Sequence, residues 1–184
     1  MFFIKTIYSV LLSILCLLFN TDFPFIPIQI TLIDAVIEAF PAFFMSFERN
    51  DRKVEGTFLG SVIRSALPGS IAILLACITV FIAAPRLGIN REQMNLVMYL
   101  AVGIVSLAGV IKALLPFNLL RGFLSAASVF GFFFAVLLFS PLLQFSALTA
   151  GGALLLAFIA VPSAFLAFLI KIPKQVKYPL PVGR

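Results

Sequence analysis

An all-α integral membrane fold, a bundle of six transmembrane helices with both termini cytoplasmic, is the architecture this sequence predicts. Three observations predict it. The chain of 184 residues is 62% hydrophobic and 11% charged with a mean hydropathy of +1.19, far from the roughly one-quarter charged composition of soluble globular chains. Apolar runs near the bilayer-crossing length of about 20 residues recur from end to end, leaving no room for a soluble catalytic domain. The basic residues behind the net charge of +6 cluster in short segments between and after those runs. Membrane orientation accounts for such clusters, so the lipid bilayer is the expected partner and nucleic acid is not.

Each element follows in order. The opening MFFIKTIYSVLLSILCLLF has the outline of a signal peptide, but NTDFPF follows without a small-x-small cleavage site and the run is almost a full span. It reads as a retained helix at 2–19. The second span, 25–47, follows a turn with Asp22 and Pro24 and ends at ERNDRKVEG, the most charged stretch, which reads as a solvated loop. In TFLGSVIRSALPGS, Arg64 and the Pro68-Gly69 pair suggest an interfacial approach before a third span at 68–84. PRLGINREQ is the next loop. A fourth span covers 94–115 with Lys112 near its end, PFNLLRG is a tight connection, and the fifth span covers 122–140. PLLQFS leads into the sixth, 147–170, which completes a transmembrane domain over 1–170 and leaves a basic, proline-rich tail at 171–184.

Six spans place the termini on one side. Arg49, Arg52, Lys53, Arg64, Lys112, Arg121, Lys171, Lys174, Lys177 and Arg184 fall on that side and Arg86 and Arg91 opposite, so the excess of positive charge makes the termini cytoplasmic. Small residues four apart, Gly122/Ala126, Ala153/Ala157 and Ala160/Ala164, read as helix-packing faces. Cys16 and Cys77 lie within apolar runs and behave as small hydrophobes. No histidine is present, which removes the usual general base and the commonest zinc ligand.

The chemical handle is a pair of acids. In PIQITLIDAVIEAFPAFF, Asp34 and Glu38 sit near the middle of the second span, four residues apart and so one helical turn apart on one face. Ionised and facing lipid, the two would cost about 5–7 kcal/mol at roughly 2.5–3.5 each. They must face protein, water or a cation. Pro41 has no N–H to offer the carbonyl of Ile37, four residues earlier, and so releases a backbone oxygen beside Glu38. Pro24 and Pro27 are expected to loosen the outer end of the same span. Two carboxylates with freed carbonyls form an all-oxygen set suited to Ca²⁺, Mn²⁺ or Mg²⁺. The bland alternative is an acid that is protonated, or paired with Lys5, and merely holds helices together. In a free-standing protein Lys5 near the membrane edge is expected to snorkel to the interface, and in a longer parent chain it would sit deeper and could reach the site.

These residues bring out a resemblance. PFIPIQITLIDAVIEAFPAFFMSFERND, from Pro24 to Asp51, resembles the sixth transmembrane helix of P-type cation-transporting ATPases, where the calcium-pump branch has P-x-Q, hydrophobics, then Asn-x-x-Thr-Asp-Gly-x-Pro-Ala. Pro27 and Gln29 match the lead-in, Asp34 stands at the Asn, Glu38 at the Asp, and Pro41-Ala42 match outright. In hydropathy the whole chain looks like helices five to ten of such a pump, with its start inside the fifth. The resemblance implies that Asp34 and Glu38 bind the transported ion, with the Ile37 carbonyl a lesser ligand and Lys5, Thr6 and Ser9 as neighbours from the facing helix. Ile37 replaces a Thr hydroxyl, and Lys5, Thr6 and Ser9 stand where a calcium pump has Asn and Glu, which favours a single-ion site of a bacterial calcium or manganese pump in the plasma membrane. The phosphorylated Asp-Lys-Thr-Gly-Thr loop is absent, so ATP hydrolysis with ATP and Mg²⁺ is expected of the parent alone. Implied partners are the actuator, nucleotide-binding and phosphorylation domains and helices one to four. Residues 48–55 form a loop that the phosphorylation domain could contact. Rival readings are a stand-alone secondary transporter or channel and a non-transporting membrane subunit.

Overall fold

The computed structural model describes residues 2–48, 58–145 and 147–169, and over these the chain is helical, with no strand among the described residues. Six helices follow one another: α1 (Phe2–Leu18), α2 (Pro27–Met45), α3 (Phe58–Arg86), α4 (Arg91–Ala113), α5 (Leu119–Leu138) and α6 (Ala150–Leu169). Four of them, α2 to α5, are long and apolar enough to cross a membrane, α3 over Ala66–Arg86. The apolar stretches Phe3–Leu18 of α1 and Ala150–Leu166 of α6 are shorter. Residues 49–57, with Arg49, Arg52 and Lys53, and the tail 171–184 lie outside the described residues.

Helix α4 is the centre. It is buried around most of its circumference and packs on α3, α5, α6 and the middle of α2. A helix apolar on every side suits either lipid or the inside of a bundle, and neighbours on several sides put α4 inside. Asn90 and Asn118 open α4 and α5, each side chain accepting from the backbone N–H three residues on, at 2.9 and 2.8 Å. Tyr99 sits at the heart of α4 with the rings of Phe25, Phe132 and Phe145 at centroid distances of 6.4, 5.9 and 4.9 Å, so residues from α4, α5 and two connections share one aromatic cluster. One turn on, Gly103 lies under the Phe132 ring. A Cβ there would stand 2.2 Å from a ring carbon.

The structure bears on two sequence expectations about small residues. Pro68-Gly69 lies inside α3, which runs unbroken from Phe58, and the apolar, membrane-length part of that helix begins at Ala66, close to the expected start at 68. Gly69 lets Ile4 of α1 come close, and the Ser70 hydroxyl lies 2.9 Å from the Ile4 carbonyl and 3.1 Å from that of Ala66. The Ser70 hydroxyl thereby ties α3 to α1 two residues beyond Pro68. Secondly, of the expected packing residues Ala160 is buried in the core, Ala126, Ala153 and Ala157 are exposed, and further close approaches are made by Gly103, by Gly131 against Val36 of α2, and by Gly152 beside Gln93. Spacing alone does not tell which face of a helix meets a neighbour.

The connections tie the bundle at both ends. At one end Asp22 meets Arg91 at 3.1 Å, and the buried Gln29 donates to the Leu143 carbonyl at 2.9 Å. At the other, Glu48 accepts from Asn118 and Arg121, both at 3.0 Å. Of the loop 48–55, Glu48 is therefore engaged within this chain.

Candidate functional site

The site is built on a helix that changes its winding. Helix α2 starts with Pro27 in its first turn, where a missing N–H costs nothing, and Gln29 reaches back to accept from the Ile26 N–H at 3.1 Å. Pro27 therefore opens the helix rather than loosening it. After Ile33 the α winding gives way to a π turn over Asp34–Ala39, in which the Phe40 N–H bonds the Ala35 carbonyl five residues back. Pro41 supplies the reason. In a continuous α-helix it would break the ladder from inside, whereas after the wide turn it falls in the first turn of the segment Phe40–Met45, where it needs no acceptor. In the wide register the donor missing at Pro41 belongs to Val36, which makes the Val36 carbonyl a candidate ligand beside that of Ile37.

The wide turn carries both acids. Glu38 is 4% exposed, and Ile33 and Ile37 on either side are buried. Its Oε2 is buried without a hydrogen-bond partner, and so is Oδ1 of Asp34. From α1 the Lys5 ammonium pairs with Oδ2 of Asp34. The structure thus turns Lys5 inward instead of letting it snorkel. Ser9, one turn further along α1, contributes a third buried oxygen without a partner, and Tyr8 is buried close enough to interact electrostatically with both carboxylates. Thr6 is exposed.

Helical arithmetic separates these α1 residues. Positions 5, 8, 9 and 12 share one face, and Thr6 lies off it. Tyr8 and the deeply buried Leu12 belong to that stripe. The same spacing, laid along α1 from Lys5, is the signal that would have found Tyr8.

What the arrangement can do follows from its donors. Carboxylates and hydroxyls are hard oxygens, and buried carboxylate oxygens without donors are costly unless a cation meets them or a proton neutralises them. Among the described residues, however, no group of three or more His, Cys, Asp or Glu could hold a metal by itself. A Ca²⁺ ion takes six to eight oxygens. The two acids with Ser9 and freed carbonyls fit part of such a shell, and water or other helices must supply the rest.

Comparison with known proteins places this chain in a family. Over 158 residues, 80% of this chain, it is 37% identical to a protein of Streptococcus pneumoniae serotype 4 described as "Probable cation-transporting ATPase exp7". It is a homologue of bacterial cation-transporting P-type ATPases. A second relative, "Calcium-transporting ATPase CtpE" of Mycolicibacterium smegmatis, is 33% identical over 94 residues, 46% of this chain. The matched segments make up 20% and 12% of those proteins, so the chain spans about a fifth of the length of the pneumococcal relative. No protein-family model matches the chain, and no solved structure matches it at a significant level. The membrane helices and the homology together make it a multi-pass integral membrane protein.

Proposed function

We propose that this chain forms ion-binding membrane helices of a P-type cation pump, with Asp34 and Glu38 as ligands of a transported divalent cation. The observation that carries this reading is the pair of buried carboxylate oxygens, Asp34 Oδ1 and Glu38 Oε2, left without donors on a helix that has abandoned regular winding beside them. Irregular backbone at membrane depth belongs where a cavity or a permeating ion uses it. Of the candidate ions, Ca²⁺ and Mn²⁺ suit the oxygen set, and the mycobacterial relative is described as calcium-transporting. Phosphorylation, ATP and Mg²⁺ handling would come from actuator, phosphorylation and nucleotide-binding domains outside this chain, in a bacterial plasma membrane.

A chimera tests the proposal. This chain replaces the matching segment of the pneumococcal relative, and ATPase activity is titrated with Ca²⁺ and Mn²⁺. Asp34→Asn and Glu38→Gln are each expected to raise the half-saturating metal concentration by about tenfold or more, a loss of about 1.4 kcal/mol or more in binding. Unchanged metal dependence in both variants sinks the assignment.

One observation favours a second reading. The Lys5–Asp34 ion pair would hold α1 to α2 even in a non-transporting subunit. It leaves Glu38 unexplained, because a clamp of one lysine and one aspartate needs no second buried acid.

A further inference from the structure

Between α1, α3 and α4 lies an apolar cavity of about 390 Å³, within the size range of small-molecule pockets. Leu12, Cys77 and Met98 form its inner part, each at most 6% exposed. Its mouth is at the Asp22–Arg91 pair, where Thr21 and Asn95 add polar groups. Along α4, Met98 stands seven residues from Arg91, which makes the cavity about 10 Å deep. The hydrocarbon of one leaflet is about 15 Å thick, half of the bilayer core. The cavity is thus a slot of roughly the depth to which one lipid chain penetrates.

Walls and mouth differ in chemistry. Aliphatic, thiol and thioether walls give water too few partners to stay ordered, and left empty they forfeit dispersion contacts on one side. At the mouth the Arg91 guanidinium gives one N–H to Asp22 at 3.1 Å and has five in all, so donors remain for an anion. The Asp22 carboxylate, 88% exposed, offers a seat to a cationic group of the same ligand. Arg86 and Glu92 add one charge of each sign nearby in the sequence and do not line the cavity.

We propose that this slot seats one acyl chain of a phosphatidylethanolamine from the adjoining leaflet, with the lipid phosphate on Arg91 and its ammonium on Asp22. A lone metal ion would leave most of the volume unfilled, and a ligand of one charge would meet only half of the mouth. The seated chain props α1 against α3 and α4 at Leu12, one turn from Tyr8. The proposal does not depend on Asp34 and Glu38 being ion ligands.

Photolabelling tests it. The full chain in phosphatidylcholine vesicles is irradiated with a trace of phosphatidylethanolamine that carries a diazirine in its acyl chain, and the adducts are mapped by mass spectrometry. Label is expected on Cys77 and Met98, which are 1% and 2% exposed and so out of reach of lipid around the outside. Label confined to exposed residues such as Ile14 and Leu17 overturns the proposal. A diacylglycerol with the same chain is expected to label Cys77 and Met98 about threefold less or weaker still, because it lacks the charged head. Equal labelling by the two means that the mouth recognises nothing, and it counts against the proposal. Arg91→Ala is expected to bring the phospholipid down to the diacylglycerol level at Cys77 while the label on Ile14 and Leu17 stays constant, and undiminished Cys77 label in that variant is equally adverse. Unlabelled phosphatidylethanolamine in excess should displace the label better than phosphatidylglycerol, and the reverse order removes Asp22 from the recognition and overturns the assignment. Repeated in the chimeric pump, the labelling should persist. Its loss there would show that a helix from outside this chain fills the slot instead of lipid.

Discussion

Gln29 and Glu38 are both buried on α2, yet burial has opposite consequences for them, because the amide finds partners inside the chain and the Glu38 Oε2 does not. Gln29→Leu removes the donor to the Leu143 carbonyl and the acceptor for the Ile26 N–H. It is expected to cost about 1–3 kcal/mol, read as a lower thermal midpoint of the detergent-solubilised chain. Glu38→Gln keeps the shape and removes the desolvated charge. Without metal its midpoint should equal or exceed that of the parent chain, and any rise on adding Ca²⁺ or Mn²⁺ should vanish. A Glu38→Gln chain that melts earlier without metal would show that the carboxylate is satisfied as it stands. Asp34 and Glu38 were legible in the sequence because a charge in an apolar run is conspicuous. Tyr8 stands out only when helical spacing is laid along α1 from Lys5, since one aromatic among 22 Phe and 3 Tyr carries no mark by itself.

At the scale of elements, the wide turn of α2 and the crossing of α4 with α5 make separate predictions. Deleting Ala39, an exposed residue of the π turn, lets the helix close to regular winding and carries Pro41 into its interior. The chain is expected to insert and fold but to lose its metal response in the chimera, and a retained response would separate the turn from ion binding. Gly103→Ala places a methyl group into the Phe132 ring, and overpacking of this kind costs about 1–3 kcal/mol. Gly103→Ala combined with Phe132→Leu should recover part of the loss in thermal unfolding. The helical class of the fold was readable from hydropathy, because a bilayer admits no other open arrangement of backbone. The π turn was not, for Pro41 announces a disturbance without saying that the helix resolves it by widening. Nor was the Gly103 contact, which depends on a ring 29 residues away in the chain.

At the scale of the whole molecule, the two ends of the bundle are laced differently. The Asp22–Arg91 pair has side chains 88% and 64% exposed, whereas in the Glu48–Arg121 pair they are 24% and 22% exposed. Fully wetted ion pairs are worth about 0–1 kcal/mol and fade further in salt, while sheltered ones resist it. Arg121→Ala is accordingly expected to lower the thermal midpoint more than Arg91→Ala, and equal effects would refute the asymmetry. The segment between Phe19 and Pro24 also borders an apolar cavity of about 390 Å³ between α1, α3 and α4, lined by Leu12, Cys16, Cys77, Met94 and Met98 among others. Brine therefore loosens only the outer lashing at that end, where Asp22 and Arg91 meet, while the Gln29 amide and the rings of Phe25 and Phe145 keep the seam beneath it shut.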